Sequence, residues 1–315
     1  MSEANRGVRG ADPPQEGSGM AEARAFTAIV NPAAGGSASA SSLIAPARLL
    51  REAGAEVAVE YSRGLEHAAD VARAAAESGR VVLGVGGDGM AGCVGGALAG
   101  TGALFGIVPA GRGNDFARQL GVPSDPEELA KLLLEGEPRA VDAIDANGTA
   151  VLGSVYAGVD AVANDNANKT RLLRGSAAYY FGALRAIVSW RAADYLITVD
   201  GETRERQGYT VVAANSGYYG FGKHIAPDAR VDDGLLDVIL IRTAPKRLFF
   251  AVMRELEDGT HVRRPEVEVM RGEEVRIELA GPPGRTLPYG ADGELPGVLP
   301  VTARVMPGAL RVLAP

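Results

Sequence analysis

Cysteine is almost absent from this chain: Cys93 is the single one in 315 residues. No disulfide can form within the chain, and a reducing, cytoplasmic setting is the expected one. Histidine is nearly as scarce. His67, His224 and His261 show no metal-ligand spacing, so no zinc site is expected. Net positive charge is missing too. The formal balance is −7, which argues against a nucleic acid partner, because a phosphate backbone needs a basic face. No apolar run approaches the roughly 20 residues that a membrane span requires. The opening segment, residues 1–24, holds glycine, proline and charge without an apolar stretch. It reads as a disordered tail rather than a signal peptide, with Met20 as an alternative start.

What is present supports a sizeable core, since 46% of the residues are hydrophobic and 23% charged. The first half alternates short apolar runs with amphipathic stretches. AFTAIVN, AEVAVEYS, VVLGVGG and ALFGIVP read as strands. ASSLIAPARLLREAG, EHAADVARAAAESG, DGMAGCVGGALAG and DPEELAKLLLEG read as helices, several of them stopping at glycine. That alternation predicts a mostly parallel sheet covered by helices on both faces. Beyond about Arg139 strand-like runs dominate, among them RAVDAIDA, TAVLGSVYAG, DYLITVDG, GYTVVAANSG, GLLDVILIRT, EVRIELAG and PVTARVMPG. Only GSAAYYFGALRAIVSW and PKRLFFAVMREL read as substantial helices there. This half is expected to form a β-sandwich.

Two glycine clusters follow predicted strands. In VGGDG, Asp88 stands among Gly86, Gly87 and Gly89. Ligands in open α/β sheets bind beyond the carboxyl ends of strands, and free N–H groups at a helix start favour phosphate. A tight turn with an aspartate cap explains the same residues. Gly92, Gly95 and Gly96 recur at helical spacing and would make a flat packing face. The second cluster, GIVPAGRGNDFARQLG, repeats the strand–glycine–helix order with Gly111, Arg112, Gly113 and Asn114; capping by Asn114 and Asp115 is its plain structural explanation. Two such loops on neighbouring parallel strands would flank one cleft. Further on, RVDDGLLD gathers Asp232, Asp233 and Asp237 about a glycine turn. It reads either as a solvated hairpin or as oxygen ligands for a hard cation. YGADGELPG places Asp292 and Glu294 in a hairpin signal.

Taken in order, IVNPAAGG, GVGGDGM, GIVPAGRGNDFARQLG, APDARVDDGLLDVILIR and YGADGELPG resemble the diacylglycerol kinase catalytic-domain family in its soluble bacterial lipid-kinase branch. The resemblance implies an α/β nucleotide-binding domain with a mostly parallel sheet plus a C-terminal β-sandwich. The expected division is a tail over 1–24, an ATP-binding domain over 25–138 with 303–315 returning to it, and a sandwich over 139–302. It implies ATP in the interdomain cleft near Asn31, Ser62, Gly86, Gly87, Asp88, Gly89, Met90, Gly111, Arg112, Gly113 and Asn114. It implies magnesium held by the Asp233 side chain and the carbonyls of Arg230 and Leu235, with a second magnesium on ATP. Glu294 matches the family's proton acceptor, and Asp88 is its rival.

The chain departs from the family at Met90, where a threonine is usual, at Arg112, another usual threonine, and in lacking the Asn-Glu pair after the first loop. The implied activity is phosphorylation of diacylglycerol or a related lipid alcohol, with peripheral contact at the inner membrane face and no transmembrane segment; a homodimer is left open. Two alternatives stand beside it. One is an NAD kinase-like enzyme, and the other a catalytically silent nucleotide- or lipid-binding homologue. The basic stretch with Lys169, Arg171, Arg174 and Arg185 could face anionic lipid, although a surface helix with an aromatic stripe explains it as well.

Overall fold

The computed structural model describes residues 24–32, 37–169, 192–245, 248–281 and 284–315. The expected tail and most of the basic aromatic stretch lie outside them.

The first half builds as its pattern predicts. β1 (Ala25–Val30), β2 (Glu56–Tyr61), β3 (Val81–Gly86) and β4 (Leu104–Pro109) pair in parallel in the order β2-β1-β3-β4. These strands are apolar on both sides because both faces are covered. On one face Ile29, Val82, Phe105 and Ile107 pack with α2 (Leu65–Glu77) and α3 (Asp88–Leu98). On the other Phe26, Leu83, Val85 and Val108 pack with α1 (Ser37–Glu52) and α5 (Pro126–Glu135). Each such fully buried side chain contributes about 1.5–3 kcal/mol. The Asp125 carboxylate starts α5 by accepting from the N–H groups of Glu127 and Glu128 at 3.0 and 3.1 Å. Between β4 and α5 sits a short helix, α4 (Asp115–Gln119).

The second half is strand-rich, with one helix the sequence did not reveal. TAVLGSVYAG breaks at Leu152–Gly153 into β6 (Thr149–Val151) and β7 (Ser154–Gly158), and α6 (Val159–Lys169) follows. β9 (Glu202–Ala214) is the pivot. Its first half pairs with β8 (Ala193–Val199). Its second half lies between β7 and β12 (Leu236–Arg242). β12 also pairs with β13 (Val267–Gly272), and β8 with β14 (Glu274–Leu279). β15 (Pro288–Ala291) joins β7 to the edge strand β16 (Glu294–Val298). Tyr195, Ile197, Val211, Val238, Ile277 and Val301 fill the space between the layers. β10 (Tyr218–Tyr219) and β11 (Lys223–His224) form a separate small hairpin, and α7 (Phe249–Glu255) follows β12.

One strand stitches the two halves into one sheet. β17 (Val301–Leu313) begins against β14 and runs along β5 (Pro138–Ala146). It ends parallel to β4 through Arg311 and Val312. The strand-like run PVTARVMPG is only the first part of this strand. Gly308 takes a left-handed φ of 59° within a register shift, and the strand continues past it. Among the described residues, no helix is long and apolar enough to cross a membrane.

Candidate active site

The carboxyl ends of β1 to β4 carry Asn31, Ser62, the Gly86–Gly89 loop and the Gly111–Asn114 loop in one row. The two glycine loops touch. A Cβ on Gly111 would lie 2.4 Å from the Cα of Gly87, so only glycine permits this crossing. The second loop is closed by Asn114, itself left-handed at φ 52°. Its Oδ1 accepts from the Gly111 N–H at 2.9 Å, and its Nδ2 donates to the Gly111 carbonyl at 3.0 Å.

Asp88 is the first residue of α3, yet it caps a different helix. Its Oδ1 accepts from the Asp115 N–H at 2.5 Å and from the Phe116 N–H at 3.4 Å, holding the start of α4. Asp115 reaches onward into the second half of the chain. Its two oxygens accept from Phe221 N–H at 3.0 Å and Gly222 N–H at 2.6 Å, in the turn between β10 and β11. Gln119 completes this bridge by accepting from Gly217 N–H and donating to the Ala229 carbonyl.

From the opposite wall comes the β15–β16 hairpin. Asp292 accepts from the N–H groups of Leu152, Gly153 and Ser154 at 2.7, 2.8 and 3.1 Å. This carboxylate therefore plugs the β6–β7 break that the sequence did not show. Its side chain also meets the flat glycine face of α3: a Cβ on Gly92 would stand 3.3 Å from Asp292 Oδ2. Asn164 of α6 fixes the hairpin from the other side by donating to the Gly293 carbonyl at 2.5 Å. Glu294 follows, exposed at the first position of β16.

Asp88, Asp115, Tyr156, Tyr218, Tyr219 and Asp292 thus line one cavity of about 60 Å³ between the two halves. Burial pushes the Asp292 carboxyl up from its ordinary value, and the Asp88 charge adds to that push while the three backbone donors restrain it. Burial raises Asp115 as well, again with a further push from Asp88.

Ser62 is nearly fully buried, and among the described residues its hydroxyl has no hydrogen-bond partner. Buried hydroxyls are seldom left so, and a phosphate oxygen would satisfy this one. The Met90 side chain turns away from the open side of the loop. It is 3% exposed in the core beneath α3, and the Met90 N–H is spent on the Gly87 carbonyl. A thioether at this first-turn position turns inward because the packing of α3 on β3 offers it an apolar site. Arg112 is exposed on the second loop.

In the acidic turn, guanidinium groups stand beside the carboxylates. Asp232 pairs with Arg139 at 2.7 Å, and Arg271 contacts Asp233 at 2.5 Å and Asp237 at 3.2 Å. Asp233 Oδ1 accepts the Leu235 N–H. The residues as placed therefore do not fit a cation at Asp233 unless Arg271 is displaced. Asp142, buried on β5, anchors this turn through Gly234 N–H and holds β17 through Gly308 N–H.

Residues 25–146 match the diacylglycerol kinase catalytic domain, and residues 153–314 match the YegS C-terminal NAD kinase beta sandwich-like domain. A diacylglycerol kinase of Mycobacterium tuberculosis is 32% identical over 298 residues, covering 92% of this chain and 94% of that one. The chain belongs to the diacylglycerol kinase catalytic-domain family. As a member of it, the chain is a lipid kinase, a transferase. A probable lipid kinase YegS-like protein of Chromohalobacter salexigens is 32% identical, with 84% of this chain and 86% of that one covered. Two solved Bacillus anthracis structures share the fold at 20% and 19% identity, with TM-scores of 0.72 and 0.66. They cover 95% and 93% of this chain and 98% and 97% of theirs.

Proposed function

We propose that this lipid kinase transfers the γ-phosphoryl group of ATP to a hydroxyl of diacylglycerol or a related lipid alcohol. The observation that carries this reading is the docking of the Asp292–Glu294 hairpin beside Asp88 at the glycine loops. Asp292 and Gly293 line the same cavity as Asp88, and Glu294 is the next residue in the chain, which supports the reading that an acceptor hydroxyl is met here.

ATP, when bound, supplies the phosphoryl group. The chain's part is to hold and orient. The buried Ser62 hydroxyl, unpartnered among the described residues, Asn31 and the loop N–H groups not already spent within the loops would face the phosphates, and Arg112 would add positive charge. Glu294 accepts the proton of the attacking lipid hydroxyl. Asp88, whose Oδ1 is spent on α4, organises the loop and is the alternative base. The lipid would be met at the surface of a bilayer, with the catalytic chain resting on it peripherally.

Transfer from labelled ATP to a total lipid extract, to NAD and to water, run in parallel, tests this. A labelled lipid product is expected. Labelled NADP would select the NAD kinase-like alternative, and label in neither would leave a silent binding protein.

A further inference from the structure

The helix α6 reaches the cavity between the halves through two side chains one helical turn apart. Asp160 Oδ2 accepts from the Thr210 hydroxyl of β9 at 2.9 Å and from the Tyr219 hydroxyl at 3.4 Å, and Tyr219 lines the cavity. Asn164, at i+4 on the same face, donates to the Gly293 carbonyl of the β15–β16 hairpin at 2.5 Å. The first contact roots the helix on β9. The second reaches out to the hairpin that carries Glu294.

Docking of the hairpin does not require that second contact. The Asp292 carboxylate already accepts from three N–H groups, and the Asp292 N–H donates to the Ser154 carbonyl at 3.2 Å. Helix stability does not require it either, since asparagine is a poor helix former in a helix interior. What Asn164 adds is direction. Asp292 and Gly293 form a two-residue turn with left-handed φ of 46° and 89°, and Ala291 faces Glu294 across it. A glycine leaves the peptide that follows it free to rotate. That peptide joins the Gly293 carbonyl to the Glu294 N–H, and its carbonyl is the group Asn164 grips. Among the described residues nothing else sets the direction of Glu294. Its side chain is exposed without a hydrogen bond there, and its strand β16 is an edge strand paired with β15.

Resting on the assignment of Glu294 as proton acceptor, we propose that Asn164 is its positioning residue. By fixing the Gly293–Glu294 peptide, Asn164 aims the Glu294 carboxylate at the acceptor hydroxyl beside the cavity that Asp292 and Gly293 line. Misplacing a reacting group by about 1 Å costs up to about 10²-fold in rate, so one hydrogen bond at this peptide is enough to matter.

Steady-state transfer from ATP to dioleoylglycerol in phosphatidylglycerol vesicles, or to total lipid extract where that is the better acceptor, tests this on the full chain. The variants are Asn164→Ala, Asn164→Leu, Glu294→Gln and the double variant Asn164→Ala with Glu294→Gln. Both Asn164 variants should lower kcat about 10–100-fold and leave the KM for ATP unchanged, because the glycine loops are untouched. Their melting temperatures should stay near wild type, since better helix formers offset one lost contact. In the double variant the Asn164 change should cost nothing beyond Glu294→Gln alone, because there is no longer a base to aim. A further fall there as large as in the single variant overturns the proposal. So does a lowered melting temperature with a raised KM for ATP in both Asn164 variants, which would make Asn164 a prop for the whole cleft. A slow Glu294→Gln beside Asn164 variants of wild-type turnover overturns this inference alone. Wild-type turnover in Glu294→Gln overturns the base assignment and this inference with it, and a wild type that labels no lipid overturns the kinase reading as well.

Discussion

Single carboxylates in this cleft have separable jobs, and substitution can tell them apart. Glu294 is exposed, and among the described residues its side chain holds no other element in place, so Glu294→Gln should fold normally and keep its KM for ATP. Turnover should fall by about 10²–10⁴-fold if proton acceptance matters in the transition state. Steady-state kinetics on the lipid acceptor checks this, and wild-type turnover would pass the role to Asp88. Asp88→Asn should also leave the melting temperature nearly unchanged, because asparagine caps a helix as well as aspartate does. It is expected to abolish transfer.

Asp292 answers to a different measurement. Asp292→Asn must turn an NH₂ group toward a backbone N–H, a loss of about 1–3 kcal/mol. Its folded carboxyl titrates above the ordinary 3.8, so the fold binds that proton more tightly than the unfolded chain does. The corresponding stability is present below pH 3.8 and fades as pH rises through the raised value. The gap in melting temperature between wild type and Asp292→Asn should therefore narrow as pH is raised toward neutrality. A gap that widens would show that burial does not govern this group.

At the scale of elements, the acidic turn offers a contrast between an ion pair and a metal. Arg271 is exposed enough that its pair with Asp233 contributes about 1 kcal/mol or less. Asp233→Ala should lower the melting temperature slightly, and by the same amount with or without magnesium. A magnesium-dependent rise in wild type that vanishes in Asp233→Ala would instead put a cation on this carboxylate with the Arg230 and Leu235 carbonyls.

The glycine loops are elements of another kind, fixed by backbone contact. Gly111→Ala would drive a Cβ into Gly87, and the two loops must part. Nucleotide binding should be lost while circular dichroism stays that of the wild type.

Across the whole molecule, β17 makes one cooperative unit of the two halves. Leu310 is 1% exposed in the core under α2 and α3, and its neighbours Arg311 and Val312 pair with β4. Leu310→Ala should cost about 2–5 kcal/mol. Calorimetry should still show a single transition shifted downward, because the same strand pairs with β14 at its other end. Two separated transitions would mean that the halves fold independently.

The sequence by itself determined the strand–helix alternation, the parallel sheet, the strand-rich second half and the two strand–glycine–helix loops. Apolar periodicity, helix stops and glycine runs are local signals, and each is written within a few residues. It also determined the family, through five short stretches in order. Tertiary structure alone decided the contacts between residues far apart in the chain. Asp88 capped a helix that begins 27 residues later, and Asp292 filled a break 138–140 residues before it. No local pattern marks a carboxylate whose partners are backbone N–H groups on another strand. Met90 turned inward for the same reason, since helix packing chose its side, and β17 ran through its glycine because β4 was there to pair with it.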